Sequence, residues 1–295
     1  MTTVQALIDA VALGSVYAVV AVGIGLVFGI MRLINFAYGE LITAGGFTLW
    51  VLRDQHAALA IVVCFAVVIA LALLMERVAF RPIRSASPAT MLVATFAVSF
   101  LLQSIYLLIF GPRGNPVSTL AGLNTAVEIG SLHIRWITFV ALGTGIVLLA
   151  GTALLLGRTG IGLHMRAAAA DFRTSRILGV RANRVIACAF LLSGFLAAAV
   201  SVLLTVQNQL VTPDYGLSIT IFALVGVVVG GLDRLWSATA GGFAIGFANS
   251  LFGDILPSES RVYLPSVVFG AVILVLLLRP SGLFASGRGR PVERM

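Results

Sequence analysis

Residues 57–75 read AALAIVVCFAVVIALALLM, with no charge, hydroxyl or amide in the run. A helix of that length rises about 28 Å at about 1.5 Å per residue, close to the roughly 30 Å of a bilayer's hydrocarbon core. Working outward, similar apolar runs occupy 5–30, 33–52, 89–110, 136–157, 185–207, 217–232, 236–253 and 262–278. The pattern predicts an all-α polytopic membrane protein with about 8–9 transmembrane helices, residues 1–295 forming a single transmembrane domain.

Composition leads to the same class. The chain is 60% hydrophobic and 10% charged, with a mean hydropathy of +1.09. Soluble domains carry about 25% charged residues, so a soluble fold of this composition lacks the charge to cover its surface. The bilayer is the solvent that removes that difficulty.

The net charge of +8 does not point to nucleic acid. All 19 basic residues are Arg, and most lie in short loops between apolar runs. Threading nine spans puts Arg32, Arg77, Arg81, Arg84, Arg158, Arg166, Arg173, Arg176, Arg181, Arg184, Arg234, Arg279, Arg288, Arg290 and Arg294 on one side. Only Arg53, Arg113, Arg135 and Arg261 remain on the other. Arginine-rich loops stay cytoplasmic, so the C-terminus is expected in the cytoplasm and the N-terminus outside. Residues 1–31 contain no Arg, so the basic start of a cleavable signal peptide is missing and the first run is expected to stay in the mature protein.

The second run, LINFAYGELITAGGFTLWVL (33–52), carries Asn35, Tyr38 and Glu40 close together. A charge in hydrocarbon costs roughly 2.5–3.5 kcal/mol on insertion scales. This run must therefore face protein or water, and it is read as a broken or re-entrant helix around Gly39. Asn35, Tyr38 and Glu40 are candidates for a substrate pathway, with Gln103 and Asn249 as further polar residues inside apolar spans. Each of the last two either lines a pathway or makes an interhelical hydrogen bond, and Glu40 either lines the pathway or makes a buried structural contact. The seventh and eighth runs, 217–232 and 236–253, are short and Gly-rich, and form either a tight hairpin or two half-spans. The pairs Gly25 and Gly29, Gly226 and Gly230, and Gly242 and Gly246 have the spacing that lets membrane helices approach closely.

Several chemistries are missing. A Walker A loop needs a Lys, and the chain has none. His56, His133 and His164 are scattered, without an HExxH pair, and no G-x-S-x-G elbow occurs. Cys64 and Cys188 lie in apolar runs and build neither a disulfide framework nor a metal site. Glu40 is the one ionisable residue well inside a span, too thin a supply for a proton-driven carrier. The energy source is expected outside this chain, the competing reading being a channel or secondary carrier that works alone.

The longest cytoplasmic segment is RTGIGLHMRAAAADFRTSRILGVRANR, residues 158–184. Residues 163–178 are expected to be helical, with Gly179 capping the C-terminal end. A short helix with charge and small residues suits a groove on another protein; the alternative is a solvated basic loop that serves topology alone.

The stretch Gly162-Leu-His-Met-Arg166-Ala167-Ala168-Ala169-Ala170-Asp171, followed by Ile177-Leu178-Gly179-Val180, resembles the cytoplasmic loop of branched-chain amino acid ABC permeases of the LivH type. Ile34-Asn35-Phe36-Ala37-Tyr38-Gly39-Glu40 is similar to that family's early Asn-Phe-Ala-His-Gly-Glu signature, with Tyr38 in place of its usual His. Arg81-Pro82-Ile83-Arg84, Gly230-Gly231-Leu232, Gly241-Gly242 and Arg279-Pro280-Ser281-Gly282-Leu283-Phe284 continue the likeness in the family's order.

The resemblance implies the permease subunit of an ATP-driven importer in the bacterial inner membrane, moving branched-chain amino acids into the cytoplasm. It implies a second permease (a longer, LivM-like relative), two ATP-binding cassette subunits and a periplasmic substrate-binding protein as partners. ATP and magnesium are then bound by the ATPase subunits, and this chain is not itself an enzyme and holds no cofactor or metal. Within segment 158–184, the resemblance makes Gly162, Arg166, Ala167, Ala170, Asp171 and Gly179 the ATPase-coupling positions. Related permeases carry urea, short-chain amides or small carboxylates, and Tyr38 leaves that cargo choice open.

Overall fold

The computed structural model describes residues 3–84, 86–129, 132–231 and 235–279. Asp233 and Arg234 of the loop between the seventh and eighth runs lie outside the described residues, as do Pro280 to Phe284 and Arg288, Arg290 and Arg294.

The chain runs through α1 (Thr3–Met31), α2 (Tyr38–Val51) and α3 (Ala57–Leu74). A π-helical turn (Met75–Phe80) and a short α4 (Arg81–Ile83) prolong α3 before α5 (Pro88–Phe110) begins. The next connection holds β1 (Asn115–Pro116), a 3-10 turn (Ala121–Asn124), β2 (Ala126–Ile129) and β3 (Leu132–Arg135). Then come α6 (Trp136–Arg158), α7 (Gly160–Ala170), α8 (Phe172–Ile177) and α9 (Ala182–Gln207). β4 (Leu210–Val211), α10 (Tyr215–Gly230), α11 (Leu235–Ile255), a 3-10 turn (Ser258–Tyr263) and α12 (Leu264–Leu278) complete it.

Among the described residues, six helical segments are long and apolar enough to cross a membrane, with α10 a shorter apolar helix. The bundle is apolar on the outside, as a lipid-facing protein must be. Helix α5 shows this directly: Leu108, Val93 and Phe100 are exposed, whereas Thr95 and Ser99 are buried. Its entry is set by Ser87, whose hydroxyl accepts from the Thr90 amide at 3.2 Å, and by Pro88 in the first turn.

The centre is built by α1, α2 and α9. Helix α2 is 14 residues long, about 21 Å at about 1.5 Å per residue, shorter by itself than the roughly 30 Å hydrocarbon core. Eleven of those residues are buried. The expected break in the second span is present, but it precedes Gly39: α1 ends at Met31, Arg32 adopts φ 53°, and the chain is non-helical until Tyr38. Backbone outside regular structure at this depth is tolerable because Leu33, Asn35 and Ala37 are enclosed by protein.

Glycines set the approach of helices. A Cβ on Gly216 of α10 would fall on the carbonyl oxygen of Gly39, and one on Gly39 would come 2.7 Å from the carbonyl oxygen of Gly216. Gly226 faces Gly241 and Gly242, while Gly230 meets Ser237, so α10 and α11 pack closely and antiparallel. Gly242 and Gly246 seat α11 on Tyr17 and Ala21 of α1. The pair Gly25 and Gly29 differs from the expected pattern, since a Cβ on Gly29 would meet nothing within 4 Å.

Two small antiparallel pairs, β1 with β4 and β2 with β3, join connections at the helix ends and qualify the all-α expectation. The single helix expected over 163–178 is two helices. The chain breaks at Asp171 (φ −151°, ψ 104°), whose carboxylate caps α8 by accepting from the Thr174 amide at 3.0 Å. A cap of this kind needs non-helical backbone, so the capping bond and continuous helix exclude each other here.

Candidate functional site

The turn into α2 is made by its own sequence. Asn35 Oδ1 accepts from the Ala37 amide at 3.1 Å, while the Tyr38 amide donates to the Asn35 carbonyl at 3.3 Å. This is the local turn that Asn side chains favour. It places Glu40 in the first turn of α2, where the aligned peptide dipoles favour a negative charge.

Helix α5 meets this segment with a polar stripe. Thr95 Oγ1 shares its proton between the Leu92 carbonyl of its own helix at 2.8 Å and the Ile34 carbonyl at 3.2 Å. Ser99 Oγ and Gln103 Nε2 both donate to Glu40 Oε1 at 2.8 Å. Tyr106 Oη donates to the Glu40 carbonyl at 2.9 Å. These residues recur every three or four positions and so share one helix face. The α5 stripe therefore holds the whole segment from Ile34 to Glu40.

On the other flank, Thr43 Oγ1 accepts from the Gly216 amide at 2.9 Å, which ties the start of α10 to α2. Ser201 of α9 donates to the Ile42 carbonyl at 2.9 Å. Tyr38 is fully buried with its hydroxyl against Gly23 of α1, where a Cβ would clash with it.

The arrangement leaves open polar atoms. Of five described side-chain atoms buried without a protein hydrogen-bond partner, Asn124 Oδ1 lies elsewhere and four belong here: Asn35 Nδ2, Tyr38 Oη, Glu40 Oε2 and Thr220 Oγ1. Thr220 lies against Gly39, so all four atoms fall on or beside residues 35–40. Each such group costs roughly 1–3 kcal/mol when left unpaired, and native proteins keep only a few. The hydrogen-bonding capacity left unused is Glu40 Oε2 as acceptor, Asn35 Nδ2 as donor, and the Tyr38 and Thr220 hydroxyls as either.

Of the residues singled out in the sequence, Glu40 and Gln103 are bonded together, and Asn35 and Tyr38 stand on the same segment. Asn249 is elsewhere: its Nδ2 donates to Tyr17 Oη at 2.9 Å across the α1–α11 contact. Thr95, Ser99, Tyr106 and Thr220 were not singled out. For the first three the available signal was their common face with Gln103.

Segment 158–184 forms a second candidate surface. Thr159 caps α7 by accepting from the Gly162 amide at 3.1 Å. Gly162 is buried where a Cβ would strike the carbonyl oxygens of Leu155 and Leu156, so it lets α7 fold back on the end of α6. Met165 and Ala168 of α7 are buried, while Arg166, Ala170 and Asp171 are exposed and Ala167 is half-buried. Gly179 takes φ 89° after α8, and the Val180 amide donates back to the Ser175 carbonyl at 3.0 Å. This is the expected glycine cap. It leaves Ile177 and Leu178 as an apolar pair, 80% and 79% exposed.

A family profile described as "Branched-chain amino acid transport system / permease component" matches residues 6–277. The chain is 30% identical over 306 residues to the high-affinity branched-chain amino acid transport system permease protein BraD of Pseudomonas aeruginosa, covering 99% of this chain and 97% of that one. It is 30% identical over 313 residues to the permease protein LivH of Escherichia coli K12, with 99% and 97% covered. A probable branched-chain amino acid transport permease of Methanocaldococcus jannaschii is 28% identical over 287 residues, with 94% and 89% covered.

Proposed function

We infer the function from one premise: this chain belongs to the branched-chain amino acid transport permease family. It is the membrane-spanning permease subunit of an ABC importer for branched-chain amino acids. The finer reading has it cross the bacterial inner membrane nine times, with α10, α11 and the stretch formed by α2 and the non-helical residues before it joining the six most apolar spans. The arginine count puts its N-terminus in the periplasm and its C-terminus in the cytoplasm.

The observation that carries the pathway assignment is the set of open polar atoms at residues 35–40, enclosed by apolar helices. A branched-chain amino acid presents an ammonium, a carboxylate and an apolar side chain. Glu40 Oε2 complements the ammonium. Asn35 Nδ2 and the hydroxyls of Tyr38 and Thr220 complement the carboxylate, and Leu41 and Ile42 supply apolar contact. A sugar would need many more polar partners than this segment offers. In this reading Gln103 positions Glu40, whereas Asn249 joins α11 to α1.

Energy comes from two ATP-binding cassette subunits, which hold ATP and magnesium, and cargo comes from a periplasmic binding protein. A second permease, LivM-like, completes the pathway. The ATPases grip segment 158–184 at Arg166, Ala167, Ala170, Asp171, Gly179 and the Ile177–Leu178 pair, while the buried Gly162 sets how α7 folds back on α6. Helix α9 leaves that segment directly, runs 26 residues, and bonds to α2 through Ser201. At about 1.5 Å per residue it is a rod of about 39 Å, so a push on the loop reaches the candidate pathway without a flexible link.

The test is reconstitution of the permease pair with its ATPases in liposomes, with loaded binding protein on the outside. ATP-dependent accumulation of leucine, isoleucine or valine is expected. Uptake of urea or short amides without leucine would move the cargo assignment, and leucine flux without any ATPase would identify a stand-alone carrier.

A further inference from the structure

Five arginines converge where the apolar helices end. Arg32 follows α1, Arg84 lies between α4 and α5, Arg176 belongs to α8, and Arg181 and Arg184 sit at the start of α9. Together with Ile30, Met31, Phe172 and Ile186 they line a cleft of about 840 Å³. Among the described residues no carboxylate forms an ion pair with any of the five, whereas Arg53 pairs with Asp54 elsewhere. Arg84 donates to Asn183 Oδ1 at 2.6 Å, which braces one wall. Arg32 is the only non-glycine described residue with positive φ, a conformation costing roughly 1–2 kcal/mol. Strain of this kind collects at sites that bind something.

We propose that this cleft binds the phosphodiester headgroup of an anionic phospholipid. Guanidinium groups fit phosphate oxygens bidentately, and basic pockets between membrane helices are suited to anionic headgroups. The level is right for a lipid: Ile30 and Met31 are the last turn of α1, and Ile186 lies near the start of α9, so apolar wall gives way to guanidinium across one helix turn. The size is right as well. A volume of about 840 Å³ lies within the small-ligand range of about 300–1,000 Å³, and a concave pocket beside α8 admits a headgroup rather than a protein face. The exposed surface offered to a protein is the Ile177–Leu178 tip instead.

The experiment uses the full chain purified in a neutral detergent and read by native mass spectrometry. It is titrated in separate arms with phosphatidylglycerol, phosphatidylcholine and inorganic phosphate. Retention of phosphatidylglycerol over phosphatidylcholine is expected, without competition from millimolar inorganic phosphate. The triple variant Arg84→Gln, Arg181→Gln, Arg184→Gln is expected to bind phosphatidylglycerol at least about tenfold more weakly. The double variant Arg53→Gln, Arg113→Gln, at the far ends of α2 and α5, is expected to bind as the unaltered chain does. Matching circular dichroism and elution profiles report that the variants fold; if the triple variant does not, Arg181→Gln alone replaces it. Equal retention of the two lipids, or undiminished binding by the arginine variant, would overturn the proposal. Displacement of lipid by inorganic phosphate would identify a free-anion site, and displacement by the ATPase subunits would identify a protein contact. Either result also overturns it.

Discussion

Gln103 Nε2 lies 2.8 Å from Glu40 Oε1, so α5 holds one oxygen of a carboxylate whose other oxygen has no protein partner. The bond fixes where the charge points. Glu40→Gln keeps the volume and can still accept from Ser99 and Gln103, but it removes the negative charge offered to an ammonium. Hydrogen bonds to charged groups are worth about 1.5–3 kcal/mol, so ATP-dependent leucine uptake should fall roughly ten- to a hundredfold. Assembly with the other subunits should be retained, as judged by co-purification. Uptake at the unaltered rate would make Glu40 a scaffold residue.

The contact of Gly39 with Gly216 predicts a contrast in stability. Gly216→Ala drives a methyl into the carbonyl of Gly39, and overpacking of this kind costs about 1–3 kcal/mol. Gly29→Ala meets nothing within 4 Å, so it should gain up to about 1 kcal/mol of helix propensity or change nothing. Thermal unfolding of the detergent-solubilised chain, followed by elution profile, should show Gly216→Ala melting below the unaltered protein and Gly29→Ala at or above it. A reversed order would contradict the packing.

Much of this was legible in the sequence for a simple reason. Long apolar runs have few alternatives to membrane helices, and a carboxylate such as Glu40 inside one stands out by its cost. The polar stripe of α5 did not stand out. Ser99, Thr95 and Tyr106 are ordinary in apolar helices, and their meaning appears only when they face residues 34–40. The break at Asp171 was hidden because the Ala-rich run before it has high helix propensity, whereas the side-chain cap to Thr174 decides the local geometry. Gly25 and Gly29 share the spacing of Gly242 and Gly246, but spacing does not say which face of α1 meets a partner.

The arginine distribution predicts an orientation that single cysteines check. In a Cys188→Ala background, Arg113→Cys and Ile177→Cys both introduce thiols at exposed positions, while the native Cys64 is fully buried. A membrane-impermeant maleimide applied to intact cells should label the cysteine at 113 directly and the one at 177 only after the inner membrane is opened. Labelling of position 177 from outside would place the 158–184 segment in the periplasm and remove it from any ATPase.

Coupling makes the last prediction. Arg166 is exposed on α7, with Nη2 3.4 Å from the Gly157 carbonyl, and Ile177 and Leu178 project from the end of α8. Apolar side chains this exposed beside arginines suit a partner's groove, where a few buried anchors carry most of the binding energy. Ile177→Ser with Leu178→Ser should weaken co-purification of the ATPase subunits at least about tenfold, because two anchors of about 1 kcal/mol or more each are lost. Arg166→Glu should act differently. It inverts a charge without removing the anchors, so the ATPases should stay bound while hydrolysis no longer yields uptake. The discriminating measurement is leucine transported per ATP hydrolysed. It should fall in Arg166→Glu at near-normal ATPase occupancy, whereas an unchanged ratio in both variants would leave segment 158–184 as a solvated loop and place the grip of the motor elsewhere on the chain.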